Sequence, residues 1–255
     1  MSVRALMLLC AALFAGTAHA TTTALPKDPL HSGQWPTMAR LFLGEQVVFD
    51  QRVRLLAPPE AEDSMNFPVL VDASQLAAEA GPIEEIVVFA DYNPIPLVLK
   101  FQPGRAAPRL GFRLKLQQGT PIRAGARTAD GVWHVGHIEV DAAGGGCTVP
   151  SLAHGNADWS SRLGEISGGL FEREQGARLR FRVMHPMDTG LADGIPVFRI
   201  EHIELSDADG ALARIEPYEP VSENPLFSLD LPSSSAISLA GRDNNANRFS
   251  AEIHP

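Results

Sequence analysis

Cysteine is the scarcest chemistry in this 255-residue sequence, with two residues, Cys10 and Cys147. Cys10 lies in an N-terminal stretch expected to be removed, so the mature chain is left with one thiol and no internal disulfide. Basic residues are also few. Lys and Arg number 21 against 30 Asp and Glu, a formal charge of -9. That balance argues against nucleic-acid partners, which require clustered cations to displace counterions. After the first twenty residues no apolar run reaches the roughly eighteen that a membrane span needs. There is no Gly-x-Ser-x-Gly elbow, phosphate loop, dinucleotide fingerprint or supported carboxylate pair. Nothing in the residues supports an autonomous enzyme.

What is present begins with an export leader. Arg4 precedes an apolar run from Ala5 to Ala15, and Thr17-Ala18-His19-Ala20 ends it with small residues, so residues 1–20 read as a signal peptide cleaved after Ala20. Leu9 stands before Cys10 where lipidation needs a small residue, and plain cleavage is the better reading. About 235 residues remain, suiting one large or two small domains.

The spacing of Trp35, Met38, Leu41 and Phe42 predicts a short amphipathic helix. Strand signals follow. Phe67, Val69 and Val71 alternate, Ile86 to Ala90 is a continuous apolar run, and Leu97, Leu99 and Phe101 alternate after the turn at Asn93-Pro94. Leu110, Phe112, Leu114 and Leu116 share one face while Gly111, Arg113 and Lys115 take the other. Ile122–Arg127 and Val132–Val140 flank a turn at Ala129-Asp130-Gly131. From Asp141 to about Gly176 alternation gives way to glycine, serine, asparagine and aspartate, which reads as a connection. A second β pattern then runs through Leu179, Phe181 and Val183, turns at Asp207–Gly210, and ends in strands at Ala236–Ala240 and Arg248–Ile253. The fold expected is all-β, with two immunoglobulin-like antiparallel sandwiches joined by a Gly-rich linker and a short N-terminal helix.

Gly144-Gly145-Gly146-Cys147 is the strongest local feature. Three glycines carry no side chains to pack, so the thiol is expected on a mobile, exposed arm. Seven residues beyond Val140 would let it reach roughly 24 Å. The alternative is a glycine turn with an incidental cysteine. Nothing nearby in sequence lowers the thiol pKa, which suits a group that partners act upon. Three residues separate His134 from His137, so on a strand they face opposite ways and cannot share a metal; core or surface roles are expected, and no metal site. Arg105, Arg109, Arg113, Lys115, Arg123 and Arg127 gather on the first sheet. They read chiefly as a solvated outer face, with attraction of an anionic substrate or partner as the alternative.

Several of these stretches resemble a known family. Ile83–Phe89, Asn93-Pro94-Ile95-Pro96-Leu97, Arg113–Leu116, Ile122-Arg123-Ala124, Ala126-Arg127-Thr128 and the glycine-rich Cys147 are similar in order and spacing to SoxY. Arg182–Gly190, containing His185-Pro186-Met187-Asp188-Thr189-Gly190, resembles the SoxZ signature, and Phe198 onward and Asn224-Pro225-Leu226 extend the likeness. The resemblance implies a quinoprotein dehydrogenase-associated SoxYZ-like carrier. Its parts would be the leader at 1–20, a SoxY-like domain at 32–147, a linker at 148–175 and a SoxZ-like domain at 176–255.

By that resemblance Cys147 is the attachment residue for a covalent sulfur adduct, Gly144, Gly145 and Gly146 form its arm, and the second half docks and stabilises. The implied protein is a periplasmic carrier and not an enzyme. It binds no cofactor and serves periplasmic redox enzymes, including a pyrroloquinoline quinone-dependent dehydrogenase. His185 in the second motif is expected to bond to backbone in a turn. SoxY ends in two more glycines after its cysteine, whereas Thr148-Val149-Pro150-Ser151 and a whole domain follow Cys147, so the arm is tethered at both ends and stiffened by Pro150. Thiosulfate as the substrate is accordingly open. Two other readings stand beside the carrier: an adaptor for the dehydrogenase that does not use Cys147, and a thiol catalyst, which needs a depressed pKa and a nearby acid or base.

Overall fold

The computed structural model describes residues 24–152 and 159–255; the expected leader and part of the expected linker lie outside the described residues. In chain order the elements are α1 (Trp35–Phe42), β1 (Val47–Phe49), β2 (Arg54–Leu56), β3 (Glu60–Ala61), β4 (Phe67–Asp72), α2 (Ser74–Ala80), β5 (Ile83–Ala90), β6 (Leu97–Gln102), β7 (Arg109–Leu114), β8 (Thr120–Thr128) and β9 (Trp133–Ala142). A 3-10 turn at Trp159–Arg162 leads to β10 (Ile166–Glu172), β11 (Ala177–Val183), β12 (Ile200–Asp207), β13 (Gly210–Pro217), β14 (Leu226–Leu231), β15 (Ile237–Asp243) and β16 (Arg248–Ile253).

The alternation builds an all-β sandwich. Leu110, Phe112 and Leu114 of β7 are buried while Arg113 is exposed, and Leu179, Phe181 and Val183 of β11 are buried between outward arginines. Among the described residues the strands form two sheets. One has ten strands in the order β1-β9-β8-β5-β6-β13-β12-β15-β16, with β3 also on β9; the other has six, β10-β11-β14-β7-β4-β2. Pairings are antiparallel except β1 and β3 on β9. Both sheets therefore run through both halves of the chain. β13 pairs with β6 from Arg214↔Gln102 to Pro217↔Leu99, and β14 pairs with β7 at Ser228↔Gly111 and Leu229↔Leu110. One apolar cluster fills the space between the sheets, from Val53 to Ile253.

Two expectations need correction, and several short elements were not expected. The connection expected over residues 148–175 contains β10, which pairs along its whole length with β11. Its Gly168 and Gly169 hid it from an alternation test, yet a Cβ at Gly168 would lie 2.5 Å from the Arg180 carbonyl oxygen, so glycine is what lets the strands approach. α2 and the short strands β1–β3 carried too few periodic residues to be anticipated; α2 buries Leu76 alone. Arg123 and Lys115 do not belong to a solvated face, since both are buried.

Arg123 is buried because α1 covers the large sheet there. Trp35, Met38 and Ala39 pack on Val87, Phe89, Trp133 and Val135 in a second apolar cluster, and Gly125 leaves room for Leu43, which an added Cβ would meet at 2.6 Å. The guanidinium bonds Asp28 through Nη1 and Nη2 (2.9 and 2.8 Å) and Asp91 through Nε and Nη2 (both 3.0 Å), and lies 4.8 Å from the Trp35 ring centre. It thus pins the N-terminal segment to β8. Burial disfavours the Asp28 charge, but bonds from Arg123 and from the Leu30 and Ser32 amides prevail and hold its carboxyl below the usual range.

Truncating Arg123 leaves two carboxylates buried without a counter-ion. Arg123→Ala should lower unfolding free energy by about 3–5 kcal/mol in urea titration at pH 7, whereas Arg113→Ala, on the exposed face, should stay within about 0.5 kcal/mol. Because the folded Asp28 pKa is depressed, its contribution is present above the unfolded value of 3.8 and disappears as pH falls through the folded one. The gap between wild type and Arg123→Ala should accordingly shrink in acid, and equal stability of the two at pH 7 would contradict the assignment.

Candidate functional site

Cys147 lies where the two halves of the chain meet. β7 delivers Lys115 just past its end, β9 delivers the glycine segment, and the 185–190 motif lies across both. The structure thus brings together the two features that the sequence singled out 38 residues apart, from Cys147 to His185.

The glycines do a different job from the one expected. The Gly144 amide donates to Ser64 Oγ (3.1 Å), Gly145 to the Gln117 carbonyl (3.1 Å), Gly146 to the Leu116 carbonyl (3.0 Å) and Cys147 to Gln117 Oε1 (3.3 Å). Gly144 has φ 95° and would place a Cβ 2.3 Å from the Gln117 oxygen; Gly146 would place one 2.1 Å from the Ser64 oxygen. Close backbone approach is what requires glycine at both positions. The segment is laid into the fold, and Cys147 is 1 % exposed. The exposed, roughly 24 Å arm expected from sequence is therefore corrected for this conformation.

The second half closes over the thiol. Thr189 Oγ1 donates to the Cys147 carbonyl at 2.6 Å, and the Ser151 amide donates to Asp188 Oδ1 at 3.3 Å. Lys115, 2 % exposed, sends Nζ to the Met187 carbonyl, while its own carbonyl accepts from Asn93 Nδ2 (2.9 Å) and from the Cys147 thiol (3.7 Å). Met187 sits at φ 51°, a left-handed conformation that turns this carbonyl toward Lys115. Gly190, at φ 75°, ends the turn where a Cβ would strike Val197.

His185 braces the same turn, as a histidine before Pro186 can. Nδ1 accepts the Met187 amide (3.1 Å), and the His185 amide and carbonyl bond Asn224 (3.1 and 2.7 Å). Burial lowers its pKa well below the usual range despite Asp243 nearby, so the ring is neutral and its partners are structural. His134 bonds Asp50 Oδ2 through Nδ1 at 2.8 Å, and His137 stacks edge-on against Phe49. Among the described residues no cluster of His, Cys, Asp and Glu could hold a metal.

Burial also sets the chemistry of the thiol. It pushes the Cys147 pKa up to about 11, with the Lys115 charge opposing the shift. At pH 7 about one molecule in ten thousand is thiolate. Burial likewise lowers the Lys115 pKa, opposed by the charge of Asp188. In this conformation the thiol is neutral and shielded. Six hydrogen bonds hold the segment, each worth about 0.5–1.5 kcal/mol, so a local opening costs several kcal/mol and is accessible without global unfolding.

Sequence reasoning missed Ser64, Gln117 and Asn93 as partners of this segment and placed Lys115 on the outer face. Alternation assigned Lys115 outward, but β7 ends at Leu114, and the cover comes from residue 187, which no local pattern reports. Asn93 had been noted only as a turn residue; its side chain spans the Lys115 carbonyl and the Gln117 amide.

The fold and site define an antiparallel sandwich protein with one buried thiol, among the described residues, at the seam of its sheets. Residues 38–147 match the family model described as sulfur oxidation protein SoxY, so the chain contains a SoxY family domain, and the match ends on Cys147. No curated protein matches the chain. The sulfur carrier protein SoxY from Chlorobium limicola f thiosulfatophilum is 22 % identical over 42 % of this chain and 93 % of its own, with a TM-score of 0.35. A β-glucuronidase from Parabacteroides merdae is 12 % identical over 79 % of this chain and 24 % of its own, with a TM-score of 0.26. A mixed-linkage glucan utilization locus protein from Bacteroides ovatus, SGBP-B, is 10 % identical over 81 % and 68 %, with a TM-score of 0.24. At these values the structural likenesses carry no functional argument.

A thiol-disulfide reagent should modify Cys147 far more slowly in native protein than in urea, and the native rate should keep rising up to about pH 11. Gly146→Ala, which crowds Ser64, should speed the native reaction by releasing the segment. Native reaction as fast as in urea, with a midpoint near pH 8.5, would contradict the closed geometry.

Proposed function

We propose that this chain is a periplasmic, non-enzymatic sulfur carrier in which Cys147 holds a persulfide or S-thiosulfonate and presents it to partner enzymes. The observation that carries the reading is the SoxY family match ending on Cys147, the single free cysteine among the described residues. On this reading the expected leader at residues 1–20 directs the mature chain to the periplasm, and the SoxZ-like motif at 185–190 acts as a cover for the thiol. Forming either adduct from a thiol and a reduced sulfur compound releases two electrons, which pass to the loading enzyme. Candidate partners are periplasmic redox enzymes, among them a pyrroloquinoline quinone-dependent dehydrogenase. The closed conformation described above is then the resting state, and loading follows release of the glycine segment.

Burial of the thiol favours a second reading, in which the chain is an adaptor that binds such a dehydrogenase and Cys147 is a core residue. One experiment separates them. Intact mass spectrometry of protein from the native host should show a mass increase that reductant removes, and Cys147→Ser should abolish both the adduct and the growth phenotype. Unmodified thiol in every growth condition, with an unimpaired Cys147→Ser strain, would leave the adaptor reading in its place.

A further inference from the structure

The outer face of the six-stranded sheet carries charge of the opposite sign to the rest of the protein. Register places Arg54 opposite Asp72, Asp72 opposite Arg109, and Arg178 opposite Asp230, and sets Arg113, Arg180 and Arg182 on the same outward side. The six arginines and two aspartates on the outward side of these strands sum to +4, so the remainder of the chain, whose total is -9, carries -13. The aspartates are already engaged. Asp72 accepts from Arg109 at 3.2 Å, and Asp230 from Arg109 and Arg178 at 3.0 and 2.7 Å. Arg54, Arg113, Arg180 and Arg182 are exposed and have no carboxylate partner among the described residues.

The same face is grooved. Gly111 on β7 and Ser228 on β14 face each other at its centre, and their small side chains leave a trough between taller neighbours. Two adjoining hollows of about 430 and 290 Å³ share Leu70, Gly111, Arg180 and Ser228. Phe171 and Leu56, 52 % and 42 % exposed, stand at opposite ends. Free guanidinium groups around an apolar floor, with aromatic and aliphatic anchors, make a surface suited to protein association; arginine and aromatics are enriched in such patches. Arginine forks pair carboxylates in two-point geometry, and the like-charged remainder of this chain steers an acidic partner toward this face.

We infer that the outer face of β10, β11, β14, β7, β4 and β2 is a docking surface for a protein partner that presents a carboxylate-rich patch. A partner seated there stands beside the thiol site. Arg113 lies two residues before Lys115, and its carbonyl accepts the Ser222 amide of the second half at 3.1 Å. The inference adds the chemistry of the partner to the carrier reading but does not depend on the adduct.

A photo-reactive amino acid at Ser228, in the otherwise intact chain expressed in its native host, tests this directly. Illumination should yield a cross-linked protein whose mapped contact segment is rich in Asp and Glu. Arg113→Glu/Arg180→Glu/Arg182→Glu should reduce the yield about tenfold, and the milder Arg180→Gln should reduce it partially, with circular dichroism and melting temperature unchanged in both. The same probe at Ser250, on the other sheet, should not give this product. Cys147→Ser should cross-link as wild type does, so loss of docking and loss of the sulfur adduct are read separately. No cross-link, a link to a second copy of this chain or to lipid, or a yield indifferent to charge reversal would overturn the inference.

Discussion

Everything in this molecule rests on the main-chain pairing of β6 with β13 and of β7 with β14. These ladders join strands more than a hundred residues apart, so neither sheet is complete without both halves of the chain. Side chains reinforce the seam: Arg105 bonds Asp207, Arg109 bridges Asp72 and Asp230, and Ser222 Oγ donates to the Met65 carbonyl at 2.7 Å. A sandwich half standing alone would expose two unpaired strand edges, an aggregation hazard that this pairing removes.

The seam also decides the state of the thiol. Because β7 pairs with β14, the segment after β14's preceding turn and the 185–190 motif are brought over Lys115 and Cys147. A lysine with its ammonium on a carbonyl and a cysteine with its proton on another are both taken out of water by residues from the second half. The glycines that looked like a flexible arm are the means by which the backbone enters this crowded place. On the proposed carrier reading, protection and delivery are two conformations of one segment, and the seam sets the free-energy difference between them.

Much of the fold was legible because strands with one buried face announce themselves by alternation. β4, β6, β7, β11 and β16 lie where that pattern put them, and α1 matches its spacing from Trp35 to Phe42. β10 escaped because its glycines serve close packing instead of burial. Cys147 was legible as a special residue, and the 185–190 motif as a turn, but not their contact. The information for that contact lies in the long-range pairing of β7 with β14. Arg123 failed for a related reason: alternation cannot report that a helix more than eighty residues earlier covers the outer face of the sheet and makes a buried counter-ion of a surface arginine.

Native-state hydrogen exchange tests the central claim, that the second half closes over the thiol and holds the glycine segment in place, most directly. The account predicts that the amides of Gly145, Gly146 and Cys147 are protected, and that Thr189→Val lowers their protection while β14 amides keep theirs. Exchange of these three amides at unprotected rates in the wild-type protein, with β7 and β14 fully protected, would contradict it.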